Sequence, residues 1–596
     1  MNDSASREVM MLSKKRLTFM GIFYLVVLTL ILYRLADIQL IHTESFSKKG
    51  INLVQESVNQ RTQEVMIDDG RGRFVDRHGE SLQKQAEPSL VLFPFLKEVS
   101  WPSEDLSQIV GIPSETLQEL VSNTKEPIVL SSKDGIALTK PELEKINDLE
   151  IPGVFGIYQQ TKLDETIGDH VIGIIGENAE ALRKKYPDRT DLSYKTKIGV
   201  TGLEKAFDEF LLPDAETKLL YHVDGDGHPL FGINVKYIAD SNPFYPVTVE
   251  TTIDKEMQAM IEKVLDQQKV EKGGAVLLDI ESNEVLAMAS KPSLNRADSS
   301  TLTNQMLQPL FPGSIFKTVI SAAAIEYGLD DPTRQFNCNL NLHGEADGGQ
   351  EDGQLTFERS FAKSCNYTFT TLAKELMDQD KDVIEDTSNK LGLIDPVGWT
   401  GEVFHYENFK QIPDEKSGNI WGDSKDKNVP RAIDQTAIGQ KDVKVTPLSV
   451  ANMMATIARG GQKQQVKIVE NILYKNGTNM YSFTSNSLEG EKITPTTAAK
   501  LQKLLRLVVT DPEGTGRRFQ TSPIEVSGKS GTAQTGQSND NGQTLYNKWF
   551  AGYFPSEKPK YALVVVEMDT TSSGAGTNAA FYDIVNEMSK IDERKN

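Results

Sequence analysis

Ser314 and Lys317 stand in S-x-x-K spacing within Phe311-Pro312-Gly313-Ser314-Ile315-Phe316-Lys317. A serine hydroxyl is a poor nucleophile until a neighbouring group takes its proton. A desolvated lysine with a lowered pKa can take it. The run that follows, Thr318-Val319-Ile320-Ser321-Ala322-Ala323-Ala324-Ile325, is apolar enough to predict a buried helix. Helical i to i+3 spacing sets both side chains on one face. Gly313 permits a sharp entry into that helix, whose N-terminus offers amide donors to a developing oxyanion.

The same spacing recurs at Ser45/Lys48, Ser81/Lys84, Ser122/Lys125, Ser360/Lys363 and Ser424/Lys427. For each, a solvated surface pair is the simpler reading. None combines a Pro-Gly entry with a long apolar run behind it. Two further clusters strengthen Ser314. Ser364-Cys365-Asn366 places a hydroxyl and a carboxamide on one short segment, read as part of a helix entered from Phe357-Glu358-Arg359. Such a pair can relay a proton and hold a peptide carbonyl, although alone it is as easily a local cap. Lys529-Ser530-Gly531-Thr532 follows Ile524-Glu525-Val526, which reads as a strand. An ammonium and two hydroxyls on a strand edge make a carboxylate site, and Gly531 lets a ligand backbone lie close. Lys416-Ser417-Gly418 repeats that motif inside a Pro-, Asp- and Lys-rich loop and is set aside.

The elements that must position these groups are legible in outline. Residues 247–253 form a β-branched strand, and 255–268 a helix with Met257, Met260, Ile261, Val264 and Leu265 on one stripe. Residues 273–280 and 284–289 flank Ser282-Asn283 as a hairpin. Residues 549–554 and 561–568 read as later strands and 579–588 as a closing helix. Elements from both ends of this half therefore share one sheet, giving a single α/β domain. Upstream, residues 41–70 read as a polar stalk, 69–80 as a strand between turns with His78 a turn residue, and 114–122 as an amphipathic helix. The region to about Pro243 carries no metal or phosphate spacing and reads as a structural pedestal.

The 596 residues exceed one ordinary core. A net charge of −20 argues against a nucleic-acid partner, which requires a basic face. Lys14-Lys15-Arg16 precedes an uncharged run from Leu17 to Tyr33, closed by Arg34. That run is about the shortest length that crosses a bilayer, and the preceding basic cluster predicts a cytoplasmic N-terminus. No small-x-small cleavage site follows, so an uncleaved anchor is favoured over a signal peptide. Cys338 and Cys365 lack zinc spacing. Two free, buried thiols is the simpler reading; a disulfide is the alternative for an exported chain.

Ser-x-x-Lys, Ser-x-Asn and Lys-Ser-Gly in this order are the motif set shared by penicillin-binding proteins and class A β-lactamases. The chain resembles the class B penicillin-binding proteins, membrane-anchored monofunctional transpeptidases of cell-wall synthesis. The resemblance spans nearly the whole length. It includes Arg71-Gly72-Arg73 to Gly79, Gly199 to Phe207, Gly274-Ala275-Val276 to Ala289-Ser290-Lys291-Pro292, Thr446-Pro447-Leu448 and Gly514-Thr515-Gly516.

It implies a multidomain α+β and α/β chain. A cytoplasmic tail (1–16), a transmembrane helix (17–35), a pedestal resembling the family's dimerisation domain (36–243) and a transpeptidase domain (244–596) follow in order. The last would have the penicillin-binding, serine β-lactamase-like fold, a sheet with helices on both faces. It implies attack by Ser314 on the penultimate D-Ala of a stem peptide, with Lys317 as general base. Ser364 and Asn366 would move the proton and orient the peptide. Lys529, Ser530 and Thr532 would bind the terminal carboxylate beside Gly531, and the N–H groups of Ser314 and Thr532 would form the oxyanion hole. No metal or cofactor is implied. Implied partners are stem peptides ending in D-Ala-D-Ala, β-lactams, the membrane through one helix and a glycosyltransferase of the elongation or division machinery.

Two positions depart from the family pattern. Ser530 stands where Thr is commoner, and Lys441 follows Ile438-Gly439-Gln440 where Gly is usual. A membrane-anchored β-lactamase, a D,D-carboxypeptidase and a non-catalytic division scaffold remain open as alternatives.

Overall fold

The computed structural model describes residues 2–44, 46–47, 52–163, 166–189, 191–224, 228, 230, 234–239, 242–346, 352–571 and 576–595. Ser45 and Lys48, considered above, lie outside them. Helix α1 (Asn2–Ala36) opens the chain. Its apolar stretch belongs to the 27-residue segment Lys15–Ile41, whose most apolar 18 residues have a mean hydropathy of 2.1, enough in length and composition to cross a membrane. None of that stretch is covered by the rest of the protein, as a lipid-facing helix requires. A π-helical turn (Asp37–Ile41) extends it.

The expected stalk is not uniformly helical. It carries a short helix (Leu53–Asn59) and then strand β1 (Thr62–Asp68), with Val65 and Ile67 buried. Thr-Gln-Glu-Val-Met-Ile-Asp has the alternation of a half-buried strand. Its partner, Thr217–His222, lies far along the chain, so no local hairpin signal marks the pair. The 114–122 helix is present as expected (Ser114–Ser122), with Leu117 and Val121 inward.

Strand β2 (Arg73–Val75) runs parallel to β3 (Thr248–Thr251). β3 pairs in turn with β4 (Val469–Leu473), and β4 with β5 (Asn479–Ser482). One four-stranded sheet thus draws chain from either side of residue 243. The Arg71 guanidinium beside it is buried. It donates to Glu204 Oε2 at 2.6 Å, to Asp208 Oδ1 at 2.9 Å and to the Lys197 carbonyl at 3.1 Å. Asp208 also accepts from Tyr186, Lys185 and Gly199 N–H, so the buried charges are paired and hydrogen-bonded. Asp414 accepts from Gly202 N–H at 2.9 Å and from Lys205 at 2.7 Å, joining this cluster's helix to the C-terminal half.

That half is built on a five-stranded antiparallel sheet. Its strands are β6 (Gly273–Asp279), β7 (Val285–Lys291), β8 (Ser527–Ser538), β9 (Thr544–Phe554) and β10 (Tyr561–Thr570), in the spatial order β7-β6-β10-β9-β8. Helices cover both faces. On one, α2 (Lys255–Gln267) and α3 (Gly576–Lys595) pack on Leu277, Leu563 and Val565. On the other, the alternate residues Val276, Val564 and Val566 meet a larger core that includes the Val319-to-Ile325 run. Burial of both faces makes each central strand a nearly unbroken apolar run.

The expected strand at 524–526 is not formed. The ladder begins at Ser527 opposite Tyr553, where β9 first supplies a partner. The Lys-Ser-Gly-Thr motif therefore lies within β8.

Arg71→Met strands two buried carboxylates and is expected to cost about 3–5 kcal/mol. The denaturant midpoint of the detergent-solubilised chain checks this. A loss below about 1 kcal/mol would show that the guanidinium is not needed to neutralise them.

Candidate active site

The Ser314 segment is a tight turn feeding a buried helix. Gly313 adopts φ +56°. Residues Gly313–Phe316 form one 3-10 turn, and an α-helix (Lys317–Glu326) continues from it. In a 3-10 turn residues i and i+3 eclipse, which stacks Lys317 on Ser314 more directly than an α-helix would. Lys317 is fully buried, and Ser314 is half-buried at the cleft.

Lys317 gives its hydrogen bonds to the second cluster rather than to Ser314. Its Nζ donates to the Ser364 carbonyl at 2.6 Å, to Asn366 Oδ1 at 2.6 Å and to Ser364 Oγ at 3.1 Å. These acceptors converge because the expected continuous helix is broken. One helix (Phe357–Lys363) ends at Ser364, which takes the left-handed conformation at φ +63°, and the next (Asn366–Gln379) starts at Asn366. A left-handed serine costs energy and persists only where its surroundings hold it.

One such constraint is Cys365. It is bonded to Cys338, 27 residues earlier, with a Cα–Cα separation of 5.8 Å. The expectation of two free thiols is therefore corrected. The short strand ending at Asn337 brings Cys338 against the helix break, a proximity that spacing along the chain does not show.

The third cluster approaches from β8. Burial along this strand alternates, with Lys529, Gly531 and Ala533 buried and Thr532 exposed. Lys529 Nζ donates to Ser364 Oγ at 3.0 Å and to the Ser530 carbonyl at 3.1 Å. Ser364 Oγ is thus the shared acceptor of both lysines. A hydroxyl has two acceptor sites and one proton, so two incoming N–H bonds leave that proton to donate elsewhere. The rings of Phe369 and Phe361 lie 5.6 Å from Lys317 Nζ and 5.8 Å from Lys529 Nζ. Burial, reinforced by the charge of Lys529, holds Lys317 well below the ordinary lysine range. Burial pushes Lys529 down to about 7. A lysine so placed is neutral over much of the pH range in which a surface lysine is charged.

The Ser314 turn, β8 and the loop at Gly439 meet through glycines. A Cβ on Gly313 would stand 2.3 Å from the Thr532 carbonyl oxygen, and one on Gly531 2.6 Å from that of Pro312. A Cβ on Gly439 would stand 2.2 Å from the Gly313 carbonyl oxygen, and Gly313 N–H donates to Gly439 O at 3.0 Å. Nearby Lys441 has φ +61°, which accounts for the glycine usual at this position. Here the lysine adopts that conformation and pairs with Asp426 and Asp442.

Two features escaped the motif reading. Ser530 Oγ donates to Thr515 Oγ1 at 2.8 Å, giving the Gly514-Thr515-Gly516 turn a place beside the Lys529-to-Thr532 segment. Trp549 Nε1 donates to the Phe311 carbonyl at 3.0 Å. A decoy resolves as structural: Ser360 bonds with Thr368, while Lys363 pairs with Asp352 and Glu513.

Residues 273–586 match the penicillin binding protein transpeptidase domain, and the chain belongs to that family. Among relatives, peptidoglycan D,D-transpeptidase PbpA of Mycobacterium tuberculosis is 26% identical over 65% of this chain and 79% of its own length. Peptidoglycan D,D-transpeptidase FtsI of Escherichia coli is 23% identical over 91% and 86%. The structure of penicillin-binding protein 2X from Streptococcus thermophilus superposes with a TM-score of 0.64 at 20% identity, covering 89% of this chain and 80% of that one. A chain from a peptidoglycan synthase complex gives 0.62 at 23% identity, covering 96% and 97%. Within the family this is a class B penicillin-binding protein.

Because Lys529 helps to hold Lys317 neutral, Lys529→Met is expected to raise the Lys317 pKa. The pH titration of the Lys317 13Cε resonance reads it directly. The midpoint should lie below the ordinary lysine value in the native protein and move to higher pH in the variant. An unmoved midpoint would show that Lys529 exerts no such influence.

Proposed function

We propose that the chain is a serine-type D,D-transpeptidase that cross-links peptidoglycan stem peptides and is acylated by β-lactams at Ser314. The observation that carries this reading is the Lys317–Ser364–Lys529 chain of hydrogen bonds beside Ser314. In its neutral form Lys317 keeps two N–H bonds, to the Ser364 carbonyl and Asn366 Oδ1, and its lone pair accepts the Ser314 proton as Oγ bonds to the carbonyl carbon of the penultimate D-Ala. The developing oxyanion is held by the N–H groups of Ser314 and Thr532. The C–N bond breaks, and the departing D-Ala amine receives a proton through the Ser364 hydroxyl. An amine of a neighbouring stem then attacks the ester. A new amide forms, the ester bond breaks and Ser314 recovers its proton. Asn366 orients the donor peptide, and Lys529, Ser530 and Thr532 beside Gly531 hold its terminal carboxylate.

Family membership and the N-terminal helix support a membrane-anchored chain with residues 1–16 cytoplasmic, 17–35 spanning and the rest extracytoplasmic. In this reading 36–243 is the pedestal and 244–596 the transpeptidase domain. The similarity to a chain of a peptidoglycan synthase complex supports a glycosyltransferase partner.

Fluorescent penicillin tests the assignment. The native protein should carry a stable label on the peptide containing Ser314, and Ser314→Ala should carry none. Lys317→Met should lower the acylation rate by about 10²–10⁴-fold. A folded native protein that never labels would end the reading. Rapid release of the label would favour a β-lactamase. Muropeptide mass spectrometry should show cross-links with the native protein and none with Ser314→Ala.

A further inference from the structure

Trp549 lies on β9, one strand in from the edge strand that carries Lys529 and Thr532. Its register partner is Gly531. It is 1% exposed and belongs to the core on the side of the Ser314 helix. Gly531 has no side chain, and the space this leaves is occupied by the nucleophile turn. A Cβ there would meet the Pro312 carbonyl oxygen at 2.6 Å, Ile315 Cγ1 at 2.8 Å and Trp549 Cβ at 3.2 Å. From beneath, the indole Nε1–H reaches the Phe311 carbonyl at 3.0 Å. Among the described residues this is the hydrogen bond that joins residues 311–314 directly to the five-stranded sheet. The other ties of the turn lead elsewhere: Gly313 N–H to Gly439, and Leu310 to Val445 on both sides of a bridge.

We propose that Trp549 is a positioning residue that seats the nucleophile turn on β8, so that the Ser314 and Thr532 N–H groups converge on one oxygen. This rests on the reading of Ser314 as nucleophile. The physical reason is that the two donors belong to different segments. Thr532 is fixed by its ladder to Lys548, the register neighbour of Trp549. Ser314 rides on the turn. An oxyanion hole works only where both donors are preorganised about the same point. The indole N–H sets the turn relative to the same strand that sets Thr532. It also satisfies the part-buried Phe311 carbonyl, which a ring without N–H cannot do.

The test uses the full chain in detergent and two variants. Trp549→Phe removes the N–H with some loss of packing. Replacement of Trp549 by benzothienylalanine keeps the bicyclic shape and removes only the N–H, and decides the matter if the phenylalanine variant does not fold. Penicillin acylation is followed at several concentrations to separate the dissociation constant from the rate of the covalent step. The acyl-enzyme ester carbonyl is followed by infrared difference spectroscopy. The covalent rate should fall by about ten- to a hundredfold, while the dissociation constant moves by less than about threefold. The ester band should shift to higher wavenumber, as expected of a carbonyl less polarised by its donors. A benzothienylalanine variant with the native covalent rate and band would overturn the proposal and leave the Ser314 assignment intact. Failure of the native protein to form an ester at Ser314 would overturn both.

Discussion

Two lysines out of water, joined through one serine hydroxyl, are the condition on which the rest of this cleft depends. An ammonium in an apolar interior is costly, so burial of Lys317 and Lys529 lowers the proton affinity of each. The two are also close enough to discourage simultaneous protonation, and Ser364 Oγ sits between them at 3.1 and 3.0 Å. The arrangement favours the neutral form of a side chain that in water would be a persistent cation. Its cost is met by hydrogen bonds that the two lysines donate to the Ser364 and Ser530 carbonyls and to Asn366 Oδ1, and by the aromatic faces of Phe361 and Phe369.

That condition explains the irregular backbone around it. Ser364 can present its carbonyl and its hydroxyl to Lys317 together because the helix breaks there in a left-handed turn. Cys365, bonded to Cys338, holds the chain at that break. The Ser314 turn and β8 approach through Gly313 and Gly531, where a methyl group would strike a carbonyl oxygen. The site is therefore assembled from main-chain contacts, with side chains added at three places.

The chemistry was more legible in the sequence than the scaffold. Ser314, Lys317, Ser364, Asn366 and Lys529 announce themselves because each motif is short and local, and hydrogen bonds join the last four of them. The helix at 255–268 and the hairpin at 273–289 were readable because periodicity and turn residues are also local. What escaped was non-local. β1 finds its partner far away at Thr217–His222. The Ile524-Glu525-Val526 run has the residues of a strand but no neighbour to pair with. The Cys338–Cys365 bond depends on how a short strand docks, and the left-handed Ser364 on contacts that no propensity scale contains. The indole bond from Trp549 to Phe311 crosses 238 residues of sequence.

The glycine contacts carry a consequence for how such a protein can change over generations. Where Gly313, Gly439 and Gly531 interlock, any codon that adds a side chain forces carbonyl oxygens apart and moves the reactive centre. Heritable adjustment toward a bulkier or differently charged inhibitor is thus channelled to the rim. There, positions such as Thr515, Ser530 and Lys441 carry side chains that can be exchanged without reshaping the floor.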